Sequence, residues 1–294
     1  MTSTESPVRF TFTGRDGTVI SAYRWEPSGA PRGVVQLTHG MGEHLLRYDH
    51  LATTLVAAGF LVHGQDHRGH GATAGSVEAF GQLGAAGWNS LVDDIDVLVE
   101  RTRERLPDLP VVLLGHSMGS FAAQQYVLDH SGRIAGLALS GTAAIDLMEP
   151  AIDLDRPMDL SAFNAPFPNR TGYEWLSRDE AQVDAYVADA RCGFGLDVEG
   201  SKAMFARARE VADPERLAGV RKDLPVHIMV GDRDPVNGQL ALVNALVARL
   251  RSAGLTEVTL TVWPDARHEI FNEINRNEVE ADLLAWLDRV VLAD

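Results

Sequence analysis

The sequence is poor in cysteine, in basic residues and in long apolar runs. Its one cysteine, Cys192, cannot form a disulfide within the chain, so nothing in the composition calls for an oxidising compartment. No apolar run approaches the roughly 20 residues that span a bilayer. The segment Met1–Phe10 carries neither the basic part nor the apolar part of a signal peptide. These absences predict a cytoplasmic protein without stable membrane insertion.

Basic side chains are too few to balance the acidic ones. The chain has 26 lysines and arginines against 41 aspartates and glutamates, which gives a formal net charge of −15. A surface of this sign repels nucleic acids and anionic membranes, so neither is expected as a partner. Histidines and the single cysteine do not cluster at metal-ligand spacing, and we expect neither a metal nor an organic cofactor. The composition suits a small neutral substrate and leaves the oligomeric state open.

Strand and helix patterns alternate along most of the chain, which predicts an α/β fold with a mostly parallel sheet. Residues 8–27 read as a hairpin around the turn dipeptide Asp16-Gly17, so the first two strands are expected as an antiparallel edge. The alternation stops near residue 143 and resumes near residue 216. We therefore predict a core domain of residues 1–142 and 216–294, with helices on both faces of the sheet. A mostly helical cap insertion is predicted at 143–215.

A serine between two glycines follows one of the apolar strands, in the run Gly115-His116-Ser117-Met118-Gly119, and a helical pattern begins directly after it. Glycines at these two positions let the chain turn sharply and expose the serine hydroxyl, as in a nucleophile elbow. The alternative is an ordinary glycine-rich turn between a strand and a helix. Later strand ends decide between the two, because a serine hydroxyl needs a base and the base needs an orienting carboxylate.

Two later strand ends supply an acid and a base in the chain order that a nucleophile elbow predicts. Of ten histidines, His268 alone lies late in the chain at a strand end before a helix, and it is the predicted base. Asp234 is the predicted acid, because Pro235 stiffens its loop, whereas Asp232 beside Gly231 is expected to brace the turn. Strands that are neighbours in sequence usually pair in the sheet, so the two side chains should converge.

Two backbone amides are candidates to bind the negative charge that develops on an attacked carbonyl oxygen. The first is the N–H of Met118, directly after the serine at the start of a helix. The second is the N–H of Met41, in the loop His39-Gly40-Met41-Gly42 after the third strand. A plain glycine-rich turn is the alternative for that loop.

Five segments occur in a fixed order along the chain: HGMGEHLLRY, DHRGHG, GHSMGS, VGDRDPV and RHEIFNE. Together they resemble the monoacylglycerol lipase and lysophospholipase branch of the α/β-hydrolases, from about residue 9 to the C-terminus. The resemblance implies the α/β-hydrolase fold, with Ser117 as nucleophile, Asp234 as acid and His268 as base. It places the oxyanion hole at the amides of Met41 and Met118, and it implies cleavage of a small ester through an acyl-enzyme.

The sequence of the insertion gives the least information about the substrate. It is rich in proline and aspartate and has no evident apolar lid. Another alkyl or aryl monoester is therefore an alternative to a monoacylglycerol, and a non-catalytic binding protein on the same fold is a further one. Because every predicted catalytic group lies outside residues 143–215, we expect the insertion to set substrate choice but not chemistry. Its aromatic residues Phe163, Trp175 and Phe194 are the predicted substrate-binding side chains.

Overall fold

The structure is a computed structural model that describes residues 6–292. Within that range the strands are β1 Val8–Thr13, β2 Val19–Trp25, β3 Val34–Thr38, β4 Leu61–Gln65, β5 Val111–His116, β6 Gly136–Ser140, β7 Val226–Gly231 and β8 Val258–Trp263. The helices are α1 Asp49–Ala57, α2 Gly71–Ala74, α3 Gly87–Arg105, α4 Met118–His130, α5 Glu180–Ala188, α6 Val198–Val211, α7 Pro214–Ala218, α8 Ala241–Ser252 and α9 Arg276–Val291.

All of these strands join one sheet, in the order β1-β2-β4-β3-β5-β6-β7-β8. The pairs β1–β2 and β2–β4 are antiparallel, and every later pair is parallel. The predicted hairpin is confirmed at the edge of the sheet, where Gly17 takes the left-handed φ of 87° that its turn requires. The predicted mostly parallel sheet is confirmed as well.

The central strands are covered by helices on both faces, which explains why they read as continuous apolar runs. In β5, Val112 and Leu114 belong to a core that includes side chains of α1 and α9. Leu113, which points to the opposite face, belongs to a core with side chains of α3, α4 and α8. Each strand of this kind therefore buries both of its faces.

The connection from β6 to β7 interrupts the alternation of strands and helices. It carries α5, α6 and α7 and short 3-10 turns at Ile145–Leu147, Glu149–Ala151 and Leu160–Asn164. It leaves β6 at the carboxyl end of the sheet, where the loops after β3, β5, β7 and β8 also begin, and where sites form in α/β folds. The division into a core and a cap at 143–215 stays a prediction.

No helix within residues 6–292 is both long enough and apolar enough to cross a membrane.

A buried ion group ties the N-terminal hairpin to the rest of the sheet. Arg68, in the loop after β4, donates to both carboxylate oxygens of Asp94 on α3, at 2.6 and 3.0 Å. It also donates to both oxygens of Asp16 in the hairpin turn, at 2.6 and 2.8 Å. The Arg68 and Asp94 side chains are only 5% and 2% exposed. Without the guanidinium, the Asp94 carboxylate would be a buried charge without a counter-ion.

Replacing Arg68→Met should therefore lower the free energy of unfolding by about 3–5 kcal/mol, the usual loss when one partner of a buried ion pair is removed. Chemical denaturation would measure it. Arg156→Met is the matched control, because Arg156 and its partner Asp153 are 82% and 64% exposed, and it should cost less than about 1 kcal/mol. Equal losses for the two variants would contradict the role given to Arg68.

Candidate active site

Ser117 sits on a strained turn between β5 and α4. Its backbone has φ 49° and ψ −122°, a conformation that non-glycine residues rarely adopt. The turn is held by its neighbours: the Ser117 N–H donates to the Ser140 carbonyl at 2.9 Å, and the Ser120 hydroxyl donates to the Ser117 carbonyl at 2.6 Å. The geometry is that of a nucleophile elbow.

The two glycines around the serine are required by close packing. A Cβ on Gly119 would lie far inside van der Waals contact with the Thr38 carbonyl oxygen of β3, and a Cβ on Gly115 would lie 2.7 Å from the Gly119 carbonyl oxygen. The helix after the serine thus packs directly onto the end of β3. Any side chain at either position would push the turn away from the sheet.

Asp234 and His268 meet at the ends of the paired strands β7 and β8. The His268 Nδ1 lies 2.9 Å from the Asp234 Oδ2, and both side chains are buried. The second Asp234 oxygen accepts the N–H of Val236 at 2.8 Å, which fixes the carboxylate. Asp232, the less favoured of the two aspartates, makes no contact with His268 through a hydrogen bond or ion pair within the described chain. The structure therefore brings together the acid and base that the sequence predicts.

Ser117 and His268 line the same cavity at the carboxyl end of the sheet. With Nδ1 of His268 engaged by Asp234, its Nε2 is the nitrogen left to act on the serine hydroxyl. In the described chain no hydrogen bond joins His268 to that hydroxyl, which is common in sites of this kind before a substrate tightens them.

The residues of the two predicted oxyanion donors, Met41 and Met118, line the same cavity as Ser117. Met118 is the first residue of α4, where backbone N–H groups have no acceptor within the helix. Met41 lines the same cavity, and its loop is shaped by the positive φ of 64° at Gly42. Glu43 accepts the Gly40 N–H, so that amide is already engaged by a protein acceptor. Within the described residues neither methionine N–H donates to a protein acceptor, so both remain available.

His268 has a raised pKa. Burial of the imidazole opposes its protonation, but the Asp234 carboxylate and, more weakly, the Glu269 carboxylate outweigh that effect and raise the pKa above the ordinary 6.5. The neighbouring His116 ring lies 4.8 Å from the His268 ring. Burial lowers the pKa of His116 to about 3, so this second imidazole is neutral and does not compete as a base.

A buried ion group that the sequence analysis did not predict borders the cavity. Arg47 donates to Glu43 at 2.8 Å and to Glu269 at 2.7 Å. Burial works against ionisation of Glu269, but Arg47 outweighs it and lowers the pKa of Glu269 to about 2. The guanidinium also lies over the Tyr186 ring at 4.7 Å. Glu43 and Arg47 belong to the HGMGEHLLRY segment, and their spacing of four residues was the signal that could have revealed them.

Apart from this ion group, the cavity is lined mainly by apolar side chains. It holds about 610 Å³ of space between protein atoms, part of it open to solvent. Met148, Met158 and Met204 lie on its wall; methionine side chains adapt easily to ligands of different shape. The remaining apolar lining side chains from the β6–β7 connection are Ile145, Leu160, Phe163, Trp175, Leu176 and Phe205.

The structure places Phe194 apart from the other two aromatic side chains that the sequence predicts to bind substrate. Phe163 and Trp175 line the cavity as expected, but Phe194 lies outside it. Its ring stacks on Phe80 at 4.7 Å and lies 4.9 Å from the His70 ring. The physical reason for this placement is that the loop after α2 offers the side chain an apolar partner; a part for Phe194 in substrate binding stays a prediction.

One group of possible metal ligands occurs within the described chain: His44, Asp189 and Cys192, whose ligand atoms lie within 4.8 Å of one another. Asp189 is already paired with the Arg191 guanidinium at 2.7 and 3.0 Å. Burial raises the pKa of the Cys192 thiol far above its usual value, and a thiol binds metal only as a thiolate. The donor set therefore fits a metal ion poorly.

The chain matches the family described as "Serine aminopeptidase, S33" (Hydrolase_4) over residues 29–275. It is 33% identical to a monoacylglycerol lipase of Mycolicibacterium smegmatis, over 94% of this chain and 95% of that protein. It is 31% identical to the human monoglyceride lipase, over 93% and 88%. A thermostable carboxyl esterase of Bacillus coagulans, solved in complex with glycerol, aligns with a TM-score of 0.84 and 29% identity, over 98% of this chain and 100% of that one. The predicted α/β-hydrolase fold and ester hydrolase activity are thereby confirmed.

The raised pKa of His268 predicts the pH dependence of ester hydrolysis. The imidazole must be neutral to accept a proton, so kcat/KM should rise with pH through one inflection above 6.5. Glu269→Gln removes one of the charges that raise the pKa of His268, so it should move the inflection to lower pH. The exposed Glu278→Gln on α9 is the control. A wild-type inflection at or below 6.5 would contradict the assignment.

Proposed function

We propose that this chain, which belongs to the family described as "Serine aminopeptidase, S33" and is a lipase- or esterase-like ester hydrolase, cleaves neutral monoesters of fatty acids. The substrates are of the monoacylglycerol type, and Ser117 is the nucleophile. The observation that carries the proposal is that the strained Ser117 turn and the Asp234–His268 pair meet in one mostly apolar cavity. A glycine-rich turn without a catalytic role would need neither the acid nor the base beside it.

In the acylation step the Ser117 hydroxyl oxygen attacks the ester carbonyl carbon while Nε2 of His268 takes the hydroxyl proton. Asp234 accepts a hydrogen bond from Nδ1–H of His268, which selects the required tautomer and stabilises the imidazolium. The N–H groups of Met41 and Met118 bind the oxygen that becomes negative. The imidazolium then protonates the leaving alcohol, and the acyl group stays on the serine.

In the deacylation step a water molecule replaces the alcohol. His268 takes a proton from the water as it attacks the acyl-enzyme carbonyl, and the same two amides bind the oxyanion. Collapse of this intermediate releases the fatty acid and restores the serine hydroxyl. Every group in this cycle is supplied by the chain, the substrate ester or water.

The two parts of the cavity suit the two parts of such an ester. The methionine-rich wall offers an apolar surface to the acyl chain, and Glu43, Glu269 and Tyr186 form a polar end of the lining, where we place the alcohol. Glu43 and Glu269 together carry two negative charges against the one positive charge of Arg47. That end therefore disfavours an anionic alcohol and leaves neutral ones.

Cap arginines do not reverse this preference. Arg156, Arg170, Arg178 and Arg191 each pair with an acidic side chain, and none is among the side chains that line the cavity. A substrate with a free carboxylate would find no unpaired cation among them. A dicarboxylic acid hemiester is therefore a poorer candidate than a neutral monoester.

An aminopeptidase, which the family description names, is a weaker candidate. Such an enzyme needs a carboxylate free to bind the substrate ammonium group. Here Glu43 is bonded to Arg47 and Tyr48, and Glu269 is bonded to Arg47 and Asn272. Both carboxylates at the site are therefore already hydrogen-bonded within the protein, which favours an uncharged substrate over one with an ammonium group.

The sequence also allows a small alkyl or aryl monoester as substrate, or a non-catalytic binding protein on the same fold. Fluorophosphonate labelling and ester turnover of a Ser117 variant test the alternative of a non-catalytic binding protein. Such a protein has no hydrolytic activity to lose when the hydroxyl is removed. A chain-length series tests the small monoester, because only a long acyl chain would fill the apolar wall. The cytoplasmic location stays a prediction.

Ser117→Ala should abolish ester hydrolysis, with a loss of about a thousandfold or more, because the hydroxyl is a reactant. It should also abolish labelling by a fluorophosphonate probe. Asp234→Asn should cost far more activity than Asp232→Asn, since an amide at position 234 stabilises the wrong tautomer of His268. Turnover of a monoacylglycerol and a p-nitrophenyl ester would be measured for all three. A Ser117→Ala variant with a tenth of wild-type turnover, or a larger loss for Asp232→Asn, would overturn the assignment.

The apolar wall predicts a chain-length profile. Each methylene buried contributes about 0.8 kcal/mol, so kcat/KM should rise about fourfold per carbon until the cavity is full and then fall. Phe163→Ala should change the optimum length, because Phe163 lines the cavity. Phe194→Ala removes a matched ring outside the cavity and should leave the optimum unchanged. A monoacylglycerol series measures both. Equal profiles for the two variants would show that Phe163 does not bound the acyl site.

A further inference from the structure

Residues 174–178 of the β6–β7 connection run alongside the loop that carries His268. The N–H of His268 donates to the Trp175 carbonyl at 3.3 Å, and the N–H of Glu269 donates to the Leu176 carbonyl at 2.8 Å. The two segments are thus joined by backbone hydrogen bonds at the proposed catalytic base itself. We name residues 174–178 the strap.

Glu273 holds the strap to this loop from one side. Its side chain is fully buried. One carboxylate oxygen accepts the N–H of Arg267 at 2.9 Å and the N–H of Arg178 at 3.1 Å. The second oxygen accepts Nε of Arg178 at 2.8 Å. A single buried carboxylate therefore bonds both the residue before His268 and the last residue of the strap.

Arg267 and Ser177 hold the two segments together from the opposite side. The Arg267 guanidinium donates to the Glu174 carbonyl at 2.6 Å and to the Ser177 carbonyl at 2.9 Å. The Ser177 hydroxyl donates to the Asn272 carbonyl at 2.8 Å. These contacts bracket His268 on both sides in sequence, so the loop cannot shift without breaking bonds to the strap.

The strap also packs against the imidazole. The Trp175 ring lies 4.8 Å from the His268 ring. The backbone N–H of Trp175 donates in turn to Asn164 Oδ1 at 2.9 Å, which holds the residue in place. Asp234 fixes one nitrogen of the imidazole, while the indole limits the tilt of the ring plane. Together they leave Nε2 with little freedom to turn away from Ser117.

We propose that the strap is a positioning element for the catalytic base, so that part of the insertion serves the chemistry as well as substrate choice. This inference rests on the proposed role of His268. It revises the expectation that residues 143–215 act on substrate choice alone. Misplacement of a catalytic group by about 1 Å can cost about a hundredfold in rate. Loosening the strap should therefore slow every ester alike, including one too small to reach the acyl wall.

Arg178→Met tests this, because it removes the side-chain bonds to Glu273 and to Asn275 without touching the cavity lining. With p-nitrophenyl acetate, kcat should fall about ten- to a hundredfold while KM changes less than about threefold. The same factor should apply to a long-chain monoacylglycerol. Arg209→Met is the matched control: it removes an exposed arginine of the same insertion that pairs with Glu149, and its kcat should equal that of wild type.

The outcomes separate the proposed ester hydrolysis by Ser117 and His268 from the proposed positioning role of the strap. If Ser117→Ala and His268→Ala keep activity, the proposed function fails, whatever Arg178→Met does. If those variants are inactive and Arg178→Met hydrolyses acetate at the wild-type rate, the strap has no positioning role. Arg178→Lys, which keeps the charge, should recover part of the lost kcat. Should Arg178→Met not fold, Ser177→Ala removes the bond that the hydroxyl donates to the Asn272 carbonyl and the one that it accepts from the Asp179 N–H; an unchanged kcat for acetate in that variant would also overturn the proposal.

Discussion

The backbone strain at Ser117 is the constraint on which the site depends. A non-glycine residue at φ 49° costs on the order of 1–3 kcal/mol and persists only where its surroundings leave it no second conformation. Here β5 is fixed between β3 and β6, and Gly119 packs onto the end of β3. The same contact brings the loop after β3 beside the serine. The position of Met41 is thus a consequence of the packing that holds the turn.

Charge compensation is the second physical feature of the site. The cavity is mostly apolar, yet Glu43, Arg47 and Glu269 are buried on its border. Buried ions are costly unless each is paired and hydrogen-bonded, and this group satisfies that condition internally. Its geometry links the loop after β3 to the residue after His268. The interaction therefore joins the loop of the proposed oxyanion donor Met41 to the loop that carries the proposed base.

The sheet could be predicted because its local signals agree with one another. Strands buried on both faces read as apolar runs, and the glycines at Gly115 and Gly119 mark a turn that few other structures require. Asp234 and His268 were found from chain order and strand ends alone. The structure of the insertion was harder to predict, because its apolar residues do not recur with a sustained helical or strand period. The place of Phe194 beside Phe80 could not be predicted, because Phe80 lies in a distant part of the sequence.

The sequence by itself predicted the succession of strands and helices and the glycine-flanked turn at Ser117, because each depends on residues a few positions apart. It also offered Asp234 and His268 as the acid and the base, because each follows a strand in the chain order that such a turn predicts. Tertiary structure alone decided which insertion side chains face the cavity and that Arg47 bridges two carboxylates. It also decided that residues 174–178 lie against the His268 loop. These relations join segments about a hundred residues apart or more, as between Ser177 and Asn272 or Arg47 and Glu269. Contacts between such distant segments depend on how the insertion and the loops at the carboxyl ends of the strands come together, and no local pattern encodes them.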